Sequence, residues 1–167
     1  MKTLILCLLV FSPLLAFGTS DESTLEGAWL QDGVKWVNAP RDIDRNLQSG
    51  QAAIVYFTKD HKFAILYCTL YRVRQRNPEI SHGDPRGVYQ GEWKLDRQTV
   101  SISYQLVEAT ILMKGQKLPG PMQHAVITIS QGPVLTFDRH KFRRAAHLDK
   151  SADEAVYGVR QSSTKKP

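Results

Sequence analysis

The chain is predicted to be all-β: a single antiparallel up-and-down β-barrel of about eight strands, with a short C-terminal helix. Three observations predict it. Apolar residues recur with a period of two along most of the sequence. The alternating stretches are separated by short turn-forming clusters, so successive strands join as hairpins. Of the 2 cysteines, Cys7 lies in an N-terminal leader, which leaves Cys68 without an internal partner. The chain must therefore fold on its hydrophobic core, and its length suits one domain.

The first element is a leader. Lys2 gives a positive start, Leu4 to Leu15 is apolar apart from Ser12 and Pro13, and Ala16-Phe17-Gly18 supplies small residues for a signal peptidase. Residues 1–18 are expected to be a signal peptide, cut after Gly18 or alternatively after Ser20. The apolar run falls short of the ~20 residues of a spanning helix, and no other run approaches that length. The mature chain is expected to be exported, periplasmic or secreted, with no transmembrane segment. Residues 19–160 form the barrel domain in this reading, and 161–167 a disordered tail.

A strand is expected to open at Leu25-Glu26-Gly27-Ala28-Trp29. Next comes a hairpin from Gln51 to Thr58 and from Lys62 to Val73, turning at Lys59-Asp60-His61. Its β-branched and aromatic residues suit strands. Apolar residues on both faces suggest a central position or a covering loop. Between these units, Asn38 to Ser49 is polar, with room for a helical turn after Pro40. Arg74 to Arg86, with Asn77-Pro78 and Gly83-Asp84-Pro85, is expected to be a loop. The clearest hairpin places Tyr89, Gly91, Trp93 and Leu95 on one face. It turns at Asp96-Arg97-Gln98 and returns with Val100, Ile102, Tyr104 and Leu106 on one face. A third hairpin runs from Met122 to Ser130 and from Val134 to Arg139, turning at Gln131-Gly132-Pro133. Asp149 to Val156 has the best helical composition, with Asp149 or Ser151 as the cap.

With 22 Lys+Arg against 16 Asp+Glu the net charge is +6, or about +5 once Lys2 leaves with the leader. This favours anionic partners without specifying a fold. Basic residues are hardly interleaved with aromatics, and the leader argues against nucleic acid as a partner. His61, His82, His124, His140 and His147 show no metal-ligand spacing. No catalytic elbow, phosphate loop or dinucleotide fingerprint appears. Neither a metal, a cofactor nor a catalytic residue is expected, and an enzyme is the least favoured class. Cys68, in an apolar run, is expected to be a buried, inert thiol.

Gly27-Ala28-Trp29 resembles the Gly-x-Trp that opens the lipocalin-like (calycin-type) barrels. The segment from Gly87 to Leu95 and the alternating strand after it look like the middle hairpin of small lipocalin-like domains in exported bacterial proteins of unassigned role. The resemblance implies that Gly27 and Trp29 point inward and that the tryptophan closes the barrel floor. It also implies a basic residue from the end of the last strand over that tryptophan. Arg139 is the candidate, with Arg143 and Arg144 competing. The aspartate-rich second motif and the disulfide of animal lipocalins are missing.

The functional expectation is a binding protein that carries or senses a small hydrophobic or amphipathic, anionic-headed ligand. Tyr56, Tyr89, Trp93, Ile102 and Tyr104 would line its interior. Arg72 and Arg74 near the mouth would hold a carboxylate or phosphate head. The alternative is a barrel packed solid by the same aromatics, which meets a protein or an anionic envelope surface through its loops and basic rim.

Overall fold

The computed structural model describes residues 22–38, 46–74, 80–83, 85–97, 99–112, 115–130 and 134–145. The expected leader, the expected helical turn after Pro40, the expected turn at Gln131-Gly132-Pro133, the expected C-terminal helix and the expected tail lie outside them. A 3₁₀ turn over Glu22–Thr24 precedes β1 (Gly27–Gln31), β2 (Val37–Asn38), β3 (Leu47–Phe57), β4 (Lys62–Val73) and β5 (Ile80–His82). There follow β6 (Gly87–Asp96), β7 (Thr99–Ala109), β8 (Gln123–Ser130), β9 (Val134–Phe137) and β10 (His140–Arg144).

Eight of these strands close a ring by antiparallel pairing. The order is β1-β3-β4-β6-β7-β8-β9-β10, and β10 returns to β1 through Trp29 opposite Arg144 and Gln31 opposite Phe142. Closure joins the two outer strands of this order to each other. The other two strands are short additions: β2 pairs with the start of β3, and β5 with the end of β4. β5 falls inside the stretch expected to be a loop.

The period-two pattern sorts the side chains onto two faces. Trp29, Val55, Phe57, Phe63, Ile65, Trp93, Val100, Ile102, Ile127, Leu135 and Phe142 meet inside the barrel. On the outer face of β3, β4 and β6 a second buried cluster forms from Ile54, Tyr56, Ala64, Leu66, Cys68, Leu70 and Val88. Val34 and Trp36, from the chain between β1 and β2, and Ile80 of β5 pack over it. This is why β3 and β4 are apolar on both sides. Gly50 permits the cover: a Cβ there would come within 2.6 Å of Val34 and 3.1 Å of the Lys35 carbonyl. Cys68 is buried in this cluster, and burial pushes its thiol up to about 11.

One end of the barrel is shut. The 3₁₀ turn brings Leu25 under the barrel, where the Trp29 indole N–H donates to the Leu25 carbonyl at 2.7 Å. The Arg144 guanidinium lies 5.4 Å from the Trp29 ring centroid and donates to the Thr24 carbonyl at 2.7 Å. Gly27, at φ +106°, makes room for that guanidinium. Trp93 closes the same end from the opposite wall, donating to the Thr58 carbonyl at 3.2 Å and meeting Phe57 edge-on. The cation over Trp29 is thus Arg144 and not Arg139. The reason is a strand the sequence reading missed. The chain turns at Asp138-Arg139, both at positive φ (46° and 65°), and returns as β10. Arg139 therefore sits in a tight turn at the far end of the barrel.

Two outcomes follow for equilibrium urea unfolding. Trp29→Ala removes the floor plate and is expected to cost ~3–5 kcal/mol; a change under about 1 kcal/mol would show that the plate is dispensable. Arg139→Gly relieves a left-handed backbone in a two-residue hairpin turn that favours glycine there. It is expected to raise stability by a few tenths to about 1 kcal/mol, and a clear loss would contradict the turn geometry.

Candidate functional site

At the end opposite the floor the filling stops short. A cavity of about 350 Å³ opens there, lined by Ile65, Tyr67, Tyr89, Tyr104, Gln123, Ala125, Val126, Phe137 and Asp138. It forms because β9 is short. Its pairing with β8 covers only Thr128–Ser130 against Val134–Thr136, whereas β7 holds β8 from Gln123 to Thr128. The wall is therefore split beside the first half of β8, and the Asp138-Arg139 turn stands at the rim of the split.

The rings meet edge to face in series. Centroids are 5.9 Å apart for Tyr67 and Tyr89, 5.8 Å for Tyr89 and Tyr104, and 6.1 Å for Tyr104 and Phe137. Edge-to-face contact holds such rings in fixed mutual orientation. Phe63 meets Tyr104 from below at 6.1 Å and joins the cup to the packed interior. Tyr67 is 42% exposed and forms the outermost part of the wall.

Burial is the largest cause that raises the Tyr67 phenol above its ordinary value, helped by Tyr89, the Asp138 carboxylate and Tyr104. Burial, Tyr89 and Asp138 raise Tyr104 in the same order. Both phenols stay neutral and keep their O–H donors well into the alkaline range. Among the described residues that line the cup, Asp138 is the one carboxylate, and no lysine, arginine or histidine joins it.

The sequence-predicted ligand residues are distributed differently from expectation. Tyr89 and Tyr104 line the cup. Trp93 belongs to the floor and Ile102 to the packed middle. Tyr56 lies between the inward Val55 and Phe57, so the strand phase turns it to the outer cluster. Arg72 shares the outer phase of Cys68 and Leu70. Its guanidinium stacks 4.1 Å from the Trp36 centroid, and its Nε donates to Gln48 at 3.0 Å. Arg74 follows β4, exposed, with its backbone N–H on the Asn46 carbonyl. Neither arginine is among the described residues that line the cup. Tyr67, Phe137 and Asp138 were missed. Tyr67 was legible, since it shares its phase with Phe63 and Ile65. Asp138 was hidden by the assumption that the strand ran through to Arg139.

The histidines sit apart. His61 stacks on Trp93 with centroids 4.9 Å apart, His124 contacts the Ser103 hydroxyl at 2.8 Å, and His140 contacts Gln31 at 3.2 Å. His82 is in β5, and His147 lies outside the described residues. Among the described residues no three metal-ligating side chains come together. A wider groove of about 680 Å³ lies on the outer face of β6 and β7 under Leu118, Pro119 and Met122. It is a shelf beside the barrel rather than a cup within it. Comparison with family models, with curated proteins and with solved structures finds no match to this chain.

The raised phenols make a pH prediction. Unfolded tyrosines ionise near ~10, while Tyr67 and Tyr104 in the folded protein hold their protons to higher pH. The unfolded state therefore loses protons first, and their contribution to stability, complete below ~10, is lost as pH rises through the folded values. Absorbance titration at 295 nm should show a late fraction among the 6 tyrosines. A single transition at the ordinary value in folded protein would contradict the buried cup.

Proposed function

We propose that this chain is an exported, lipocalin-like binding protein that holds one small ring-bearing or branched ligand in the tyrosine-lined cup at the open end of its barrel. The observation that carries the reading is the contrast between the two ends. The floor is sealed by Leu25, Trp29, Trp93 and Arg144, whereas the other end keeps about 350 Å³ open among fixed aromatic rings. That volume is at the small end of ligand pockets, and the three phenols, Gln123 and Asp138 give it a wall more polar than is usual for such a pocket.

The lipocalin-like assignment is supported by the eight-stranded closure and the arginine over the tryptophan of Gly27-Ala28-Trp29. Export is supported by the composition of residues 1–18. A binding role is supported by a cavity of ligand size ringed by aromatic side chains in mutual contact. The solid-barrel alternative accounts for the floor and middle but leaves the cup without a purpose.

The test is native mass spectrometry of protein purified gently from its own host, followed by organic extraction. The expected result is a co-purifying small molecule that is lost, or bound at least tenfold more weakly, in Tyr104→Leu. Circular dichroism should show that this variant keeps the barrel. A ligand retained equally by Tyr104→Leu would place binding elsewhere and overturn the assignment.

A further inference from the structure

The chemistry of the cup selects among ligand charges. Aromatic rings carry negative potential on their faces and attract a cation placed within about 6 Å of the ring centroid. Tyr67, Tyr89, Tyr104 and Phe137 stand around one cavity, with neighbouring centroids 5.8–6.1 Å apart. A carboxylate, Asp138, stands at its rim, and its field reaches the Tyr67 and Tyr104 phenols. No lysine, arginine or histidine is among the described residues that line the cavity. The nearest basic residues in sequence, Arg139, His140 and Lys141, are exposed and stand outside the lining. An anionic ligand would meet a like charge at Asp138, with only the neutral phenol O–H groups and the Gln123 amide as donors to offset it. A neutral ligand would use the rings and leave Asp138 idle.

We propose that the cup is an aromatic cage for a small organic cation of the alkylammonium class, with Asp138 as its counter-charge. This rests on the reading of the cup as a ligand site and fixes the sign of its ligand. Such a cation is weakly hydrated and branched, so it sheds water readily and fits within a cavity of this size, whereas a compact metal ion holds its water strongly. The split beside β8 gives it a lateral way in, past Asp138.

The test compares three probes of one shape. Choline, its uncharged carbon isostere 3,3-dimethylbutan-1-ol, and the anion 3,3-dimethylbutanoate are titrated into the folded chain. The readouts are calorimetry and the ring resonances of Tyr67, Tyr89 and Tyr104. The expected result is choline binding at least tenfold tighter than the alcohol, no binding of the anion, and movement of the three tyrosines. In Asp138→Asn the preference for choline over the alcohol should fall to about threefold or less. Asparagine is favoured in this kind of turn, so the variant is expected to keep the hairpin. Equal binding of choline and the alcohol at the tyrosines would overturn the cation assignment while leaving the cup as a ligand site. A choline preference unchanged in Asp138→Asn would overturn the counter-charge. Tyrosine resonances that respond to none of the probes would overturn the cation cage, and co-purification would then decide separately whether the cup binds anything.

Discussion

Arg144 spans the seam where the barrel's first and last strands meet. Every other junction in the ring joins strands with at most one short strand between them in the chain. The contact of β1 with β10 brings together residues more than a hundred positions apart, and its loop-closure cost has to be met by contacts at the seam itself. Arg144 meets it three ways. Its backbone pairs with Trp29, its guanidinium covers the Trp29 ring, and its Nη1 ties down the 3₁₀ turn through the Thr24 carbonyl. The Trp29 N–H, bonded to Leu25, closes the same corner. Gly27 belongs to this lock as well, since its positive φ lets the guanidinium reach across.

From that corner the interior is organised as a gradient. Large plates fill the floor, with both indole N–H groups bonded to backbone carbonyls so that no buried donor is left over. Branched aliphatics and phenylalanines fill the middle. Toward the mouth the rings become tyrosines, whose hydroxyls can be wetted while their faces stay packed. A barrel of eight strands is just wide enough to be filled by its own side chains, so space at one end requires a specific omission. Here β9 supplies it: four residues leave half of β8 without that neighbour.

The hairpins, their phases and the closed barrel were legible because they follow from local rules: alternation, turn clusters and a length that fits one core. Gly27 and Trp29 stood out by residue type, since glycine permits the close approach made there and tryptophan supplies a large buried plate. What escaped has a physical reason in each case. β2 and β5 are too short to show a period. The turn at Asp138-Arg139 contains no glycine or asparagine, so the change of direction leaves no compositional mark, and the role expected of Arg139 passed to Arg144. Tyr56 was drawn to the interior by residue type, although the phase set by Val55 and Phe57 turns it outward. The pairing of Arg72 with Trp36 joins two segments whose proximity depends on how the outer cluster is covered.

The turn that hid the last strand is also the element on which the cup depends. Left-handed backbone at a residue other than glycine costs free energy, and it persists only where the surroundings impose it. Such strain is not diagnostic alone, because His61 and Arg97 carry it in turns at the floor end. Asp138 differs in what the strain achieves. The tight reversal ends β9 early enough to split the wall, holds Phe137 against Tyr104, and sets a carboxylate at the mouth of the split. A longer, relaxed loop would let β9 continue along β8, seal the wall and move the charge away from the rings. One local conformation thus determines the size of the cavity, its access and the sign of its field, while the lock at Arg144 and Trp29 holds the opposite end fixed enough for that geometry to be kept.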